Sequence, residues 1–165
     1  MNVRLLACLV FSILIASPAF ADEIGEVDTA FKLFGANHKI VIEAFDDPKV
    51  EGVTCFLSMA RKGGLSGSLG LAEDPSDASI ACRQVGPIRF VKSIAEDKEG
   101  ERVFEARRSV LFKKLQVMRF LDRARNTLVY LAYSNKLIEG SPKNSVSAVA
   151  VMPWGDQPPG KPIVE

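Results

Sequence analysis

One histidine, three cysteines and no surplus of either charge: the scarcities of this chain narrow its chemistry before any motif is read. A lone His38 and so few thiols do not assemble the Cys and His ligand sets that transition metals prefer. Twenty-one basic residues against 20 acidic ones leave a net charge of +1, so no basic face offers itself to the phosphates of a nucleic acid. After residue 16 no apolar run approaches the roughly 20 residues that span a bilayer as a helix, and no basic amphipathic stretch suits a membrane surface. There is no internal repeat, which points to one domain. Nor is there a nucleophile elbow, because Gly140-Ser141-Pro142 reads as a turn rather than as Gly-x-Ser-x-Gly.

What is there begins with an export signal. A positive start, 1–4, leads into an apolar run, 5–16, and then into Ser17-Pro18-Ala19-Phe20-Ala21, with small residues where a signal peptidase reads. Cleavage after Ala21 is expected, giving a periplasmic or secreted chain; an uncleaved membrane anchor is the alternative. The Leu5-Leu6-Ala7-Cys8 sequence has the residues of a lipid-anchor site but precedes the apolar core instead of following it. The remaining chain suits a single domain over 22–154, followed by a proline- and glycine-rich tail, 155–165, expected to be disordered.

The cysteines agree with an oxidising compartment. Cys8 leaves with the signal, and Cys55 and Cys82 remain as an even pair. A bridge between them closes a loop of about 28 residues, for which chain entropy gives on the order of 3–4 kcal/mol as an upper estimate. Two free or metal-bound thiols are the alternative.

Strand signals dominate the rest. Residues 39–45 (KIVIEAF) place Ile40, Ile42 and Ala44 on one face, and 53–60 (VTCFLSMA) place Val53, Cys55, Leu57 and Met59 on one face, with the turn-forming Asp46-Asp47-Pro48 between them. Residues 115–121 and 127–134 form the clearest pair; Leu115, Val117, Arg119 and Leu121 alternate with Gln116, Met118 and Phe120, leaving apolar side chains on both faces. Such strands are covered on both sides, by a sheet, a helix or a partner. Further strands are expected in 102–112, broken near Arg107-Arg108, in 145–152, and in 80–90, where Gly86-Pro87 interrupts. Short helical turns are expected in 65–73 and 91–99. The fold class is therefore mainly β, an antiparallel sandwich or partly closed barrel with one or two short helices and one disulfide.

The most provocative stretch is 61–82, RKGGLSGSLGLAEDPSDASIAC. A Walker loop needs lysine and a hydroxyl after its last glycine, but Gly70 is followed by Leu71-Ala72. A dinucleotide fingerprint needs a following helix, and Pro75 intervenes. The glycines instead suit a connection tethered inside the cysteine loop, where Gly64, Gly67, Gly70, Glu73, Asp74 and Asp77 form the candidate binding residues. Glu73-Asp74, Asp77 and Asp46-Asp47 also raise calcium, without the one-three-five spacing of a calcium loop. Arg107-Arg108, Lys113-Lys114, Arg119, Arg123 and Arg125, interleaved with Phe112, Phe120 and Tyr130, suit a small anionic ligand or polysaccharide, or else charge that guards a sheet edge.

The runs EIGEVDTAFKLFG, HKIVIEAFDDPKV, VTCFLSMA, GSLGLAEDPSDASIACRQVGPI, FKKLQVMRFLD, RNTLVYLAYSNK and GSPKNSVSAVAVMPW together resemble the CreA family of proteobacterial exported proteins, from Glu23 to Trp154. The resemblance implies a periplasmic location and a single domain, and it transfers no catalytic residue. The function expected is that of a non-enzymatic binding or accessory protein without cofactor, metal or catalytic residues, its partner a small anionic ligand or another protein. The alternatives are a homo-oligomeric assembly protein and a periplasmic hydrolase centred on His38 or on Asp46, Asp47, Glu73 and Asp74.

Overall fold

Alternation of buried and outward residues recurs along the described strands between Val41 and Val151, and among the described residues eight strands form two sheets. The computed structural model describes residues 21–30, 38–61, 78–107, 114–134 and 143–164. Sheet one contains β1 (Asp22–Ala30), β2 (His38–Asp46), β3 (Val50–Arg61) and β4 (Ala78–Phe90), in that spatial order. Sheet two contains β5 (Glu101–Arg107), β6 (Lys114–Asp122), β7 (Thr127–Ser134) and β8 (Asn144–Ala150), again in chain order. Each sheet is an antiparallel meander, and the inner faces meet in a core that includes Phe45, Leu57, Ile88, Val117, Leu128 and Tyr130. Phe45 of β2 stacks on Phe104 of β5 with ring centroids 4.4 Å apart, an aromatic contact that joins the two sheets.

The sandwich is closed along one side only. Strands β4 and β8 run alongside each other at the edges of their sheets, and no main-chain ladder links them. Instead the amides of Ile80 and Cys82 donate to the hydroxyls of Ser145 and Ser147, at 3.0 and 2.8 Å. Side-chain oxygens thus take the place of a neighbouring strand's carbonyls and satisfy the β4 edge. The expected disulfide is present: Cys55 and Cys82 are directly opposite in the β3–β4 register and both are buried.

Three features depart from the sequence reading. Strand β1 carries no alternating pattern and was not expected. It forms because β2 offers a template, pairing from Asp22↔Ala44 to Ala30↔His38 with two register shifts. Residues 91–99 were expected to hold a helical turn, but no helix occurs among the described residues. The segment instead crosses from one sheet to the other, pinned by Ile94, whose side chain is buried in the core and whose amide donates to the carbonyl of Ile163. The amides of Glu99 and Gly100 close on Asp97 Oδ1, and Gly100 takes a positive φ of 69° that lets Phe120 lie where a Cβ would stand. The helical turn expected in 65–73 lies outside the described residues. Residues 156–164 run against the end of β4 and the 91–95 crossover, with Val164 packed on the core.

Gly86-Pro87 does not interrupt β4. Glu51 pairs with Arg89 and Val53 with Gln84, so the intervening β4 residues bulge over Gly52, which adopts a φ of 81° with no room for a side chain.

Candidate functional site

The strand directions place the connections of the sandwich at two ends. At one stand the last residues of β1, β3, β5 and β7 and the first of β2, β4, β6 and β8; at the other lie the turn between β2 and β3, the 91–100 crossover and the turn between β6 and β7. Gly64, Gly67, Gly70, Glu73, Asp74 and Asp77 belong to 62–77 and lie outside the described residues. His38 and Asp46 stand at opposite ends of β2, about 26 Å apart at roughly 3.3 Å per residue. The histidine and the Asp46-Asp47 pair therefore cannot act together in one hydrolytic site. The basic run disperses as well: Arg123 pairs with Glu96, Arg125 with Asp122 and Lys114 with Glu105, while Arg119 is buried.

Arg119 anchors the more elaborate of two constellations. It lies on the inner parity of β6, between Val117 and Leu121, and its side chain is 1 % exposed. A guanidinium in that place requires a carboxylate, and the turn after β2 supplies Asp47. Asp47 Oδ1 accepts from the amides of Lys49 and Val50 at 2.9 and 3.1 Å and from Arg119 Nη1 at 2.6 Å. Its Oδ2 accepts from Arg119 Nη1 and from the hydroxyl of Tyr130, both at 2.8 Å. Arg119 Nη2 donates to Glu101 at 2.5 Å; Glu101 in turn pairs with Lys49, which donates to the carbonyl of Ser93. The formal charges of Asp47, Lys49, Glu101 and Arg119 balance. Burial, and then the charge of Asp47, push the Tyr130 phenol far above its ordinary value and keep its proton in place. With its oxygens occupied and its side chain sealed from solvent, Asp47 is a bolt between the sheets and not a place for a ligand.

The second constellation is open. The isoleucines of β2 point away from the core: register pairs Phe45 with Cys55 inside, which turns Ile40 and Ile42 outward at 38 % exposure each. Across from them on β3 stand Ala60 and Ser58, and Ser79 follows on β4. Small side chains along that row leave a hollow of about 430 Å³, open to solvent, with Ile40, Met59, Ala60 and Ala78 as apolar lining. Ser58 and Ser79 add hydroxyls, and Lys143 and Asn144 close it from the start of β8. The chemistry offered is an apolar floor, hydroxyl groups and one ammonium.

Sequence reasoning placed Arg119 and Tyr130 together in the basic, aromatic run and Asp47 apart from them, in the turn and carboxylate readings. The signal that unites them is an arginine on the apolar parity of a strand. The hollow was missed because an apolar row on β2 reads as a core face, and the charged Glu43 and Arg61, which pair on the inner side of the same strands, reinforce that misreading.

Among the described residues no three His, Cys, Asp or Glu side chains group as metal ligands, and no helix is long and apolar enough to cross a membrane. Residues 24–154 match the protein family described as CreA protein. Protein CreA of Escherichia coli strain K12 is 59% identical over 148 residues, covering 88% of this chain and 94% of the relative. The same identity and coverage hold for Protein CreA of the strains O6:H1 and O157:H7. No solved structure matches the chain significantly.

Proposed function

The chain belongs to the CreA family, and on that premise we propose that it is an exported, non-enzymatic protein that binds a small molecule with an apolar body and an anionic head. The observation that carries this reading is the hollow beside Ile40, lined by apolar side chains, by Ser58 and Ser79 and by Lys143, where β2, β3 and β4 meet the start of β8. Sites for small ligands have this composition, an apolar surface with a few oriented polar groups. Export is supported by the apolar run at 5–16, by the small residues before Ala21, by the first strand starting at Asp22, and by a buried disulfide suited to an oxidising compartment.

The test is retention of ligand. Purified chain is incubated with a periplasmic extract, washed and analysed by native mass spectrometry beside Ala60→Trp, which fills the hollow. A small anionic molecule retained by the parent and lost from the variant supports the reading. An empty parent, or equal retention by both, overturns it.

A second reading, a homo-oligomer, has its own support. Met118, Phe120, Val129 and Leu131 share the outer face of sheet two with Val146, which is 64 % exposed. A concentration-independent monomer mass in light scattering removes it.

A further inference from the structure

The segment 156–164 holds to the domain in a manner that suggests a ligand more than a strand. Beyond the local Trp154–Gln157 turn and the packing of Val164 on the core, it is held by two main-chain hydrogen bonds, each 2.8 Å: the Gly160 amide donates to the carbonyl of Ile88, and the Ile94 amide donates to the carbonyl of Ile163. Gly160, Pro162 and Val164 alternate toward the domain while Lys161 and Ile163 face outward, and Val164 bridges Ile94 in parallel sense. Both groups that hold the segment belong to the part of the chain that matches the family, residues 24–154, whereas the segment itself lies beyond that match.

The groove makes specific demands. Ile94 is 0 % exposed with the segment in place, and the Ile163 carbonyl both accepts from its amide and shields it from water. A Cβ at position 160 would stand 3.3 Å from the Ile88 carbonyl oxygen and 3.4 Å from Arg89 Cα, so a side chain there presses on the β4 backbone and a branched one pushes the segment away. The amide of position 162 is used by neither bond, so proline fits, and three prolines (Pro158, Pro159 and Pro162) favour the extended conformation and lower the ordering cost of docking. The pattern read by the groove is thus an extended Gly-x-Pro-x-Val, with its donor at the first position and its acceptor at the fourth.

We propose that the groove between the end of β4 and the 91–95 crossover is a peptide-docking site for an extended, proline-containing segment of a partner protein, and that residues 156–164 occupy it in cis. The covalent link gives the cis segment an effective concentration of about millimolar, so a competing segment must match its pattern to displace it.

The experiment uses the full chain and a fluorescent peptide of the sequence DQPPGKPIV. In Gly160→Val the cis segment is dislodged; the Ile94 amide loses protection from hydrogen exchange, and the peptide binds about tenfold or more tighter than to the parent. Adding the peptide restores protection, and a peptide carrying Val164→Asp does not. Unchanged exchange at Ile94, or no gain in peptide affinity, overturns the proposal. Concentration-dependent dimers of Gly160→Val that exclude the peptide overturn it too, by making a second copy the occupant. If Gly160→Val does not fold, a protease site inserted after Asp156 is cut in the folded full chain. Exchange of the released segment for labelled peptide then supports docking, and no exchange overturns it.

Discussion

The two ends of the sandwich spend their polar residues in opposite ways. At the end where β2 turns into β3, charges are turned inward and satisfied, with Asp47, Arg119, Glu101, Lys49 and Tyr130 locked across both sheets. At the other end, Ile40 and Ile42 are turned outward beside an open hollow that Ser58, Ser79, Lys143 and Asn144 also line. The difference teaches that neither burial of charge nor exposure of isoleucine is an error of packing here; one end secures the fold and the other offers a surface.

Breaking the secured end has the largest expected effect. Asp47→Asn retains an acceptor for the amides of the turn but leaves the Arg119 guanidinium undercompensated, and it loses about 3–5 kcal/mol in urea denaturation. Replacing Arg119 with methionine in the same protein recovers much of that loss, because the uncompensated charge is gone; equal stability of the single and double variants would refute the bolt. Next comes the bridge between β3 and β4. Reducing Cys55–Cys82 lowers stability by at most about 3–4 kcal/mol, read as the shift in urea midpoint with and without reductant.

Tyr130 gives a smaller and pH-dependent effect. Its phenol is raised in the folded state, so its contribution is complete below the unfolded value near 10 and is lost as the pH rises past it. Tyr130→Phe loses about 1–2 kcal/mol at neutral pH, and the gap between the two proteins narrows in urea titrations above pH about 10. At the open end the expectation inverts. Lys143→Glu changes stability by no more than about 0.5 kcal/mol, yet it abolishes retention of an anionic ligand; a large loss of stability there would erase the contrast between the ends.

How much of this was legible in the sequence depends on what each residue's signal measures. Strands β2, β3, β6, β7 and β8 and the disulfide were readable because period-two alternation and a paired cysteine count are local facts. Strand β1 was not, since an edge strand with both faces in solvent needs no apolar pattern, only a neighbour to pair with. The helical turn expected in 91–99 does not form because Ile94 enters the core and fixes the path of the crossover, which no local pattern announces. As for function, Asp47 and Arg119 are 72 positions apart, and no local pattern connects them.

That separation also sets an order of events. Each sheet is a meander whose ladders join sequence neighbours, so the hairpins close over modest distances along the chain. The serine seam, by contrast, joins positions 65 apart, and Tyr130 reaches Asp47 across 83. Contacts of such long reach assemble after the meanders exist. The seam therefore acts as a latch thrown late: removing the Ser147 hydroxyl speeds unfolding while leaving the folding rate nearly unchanged, the kinetic signature of a bond absent from the transition state.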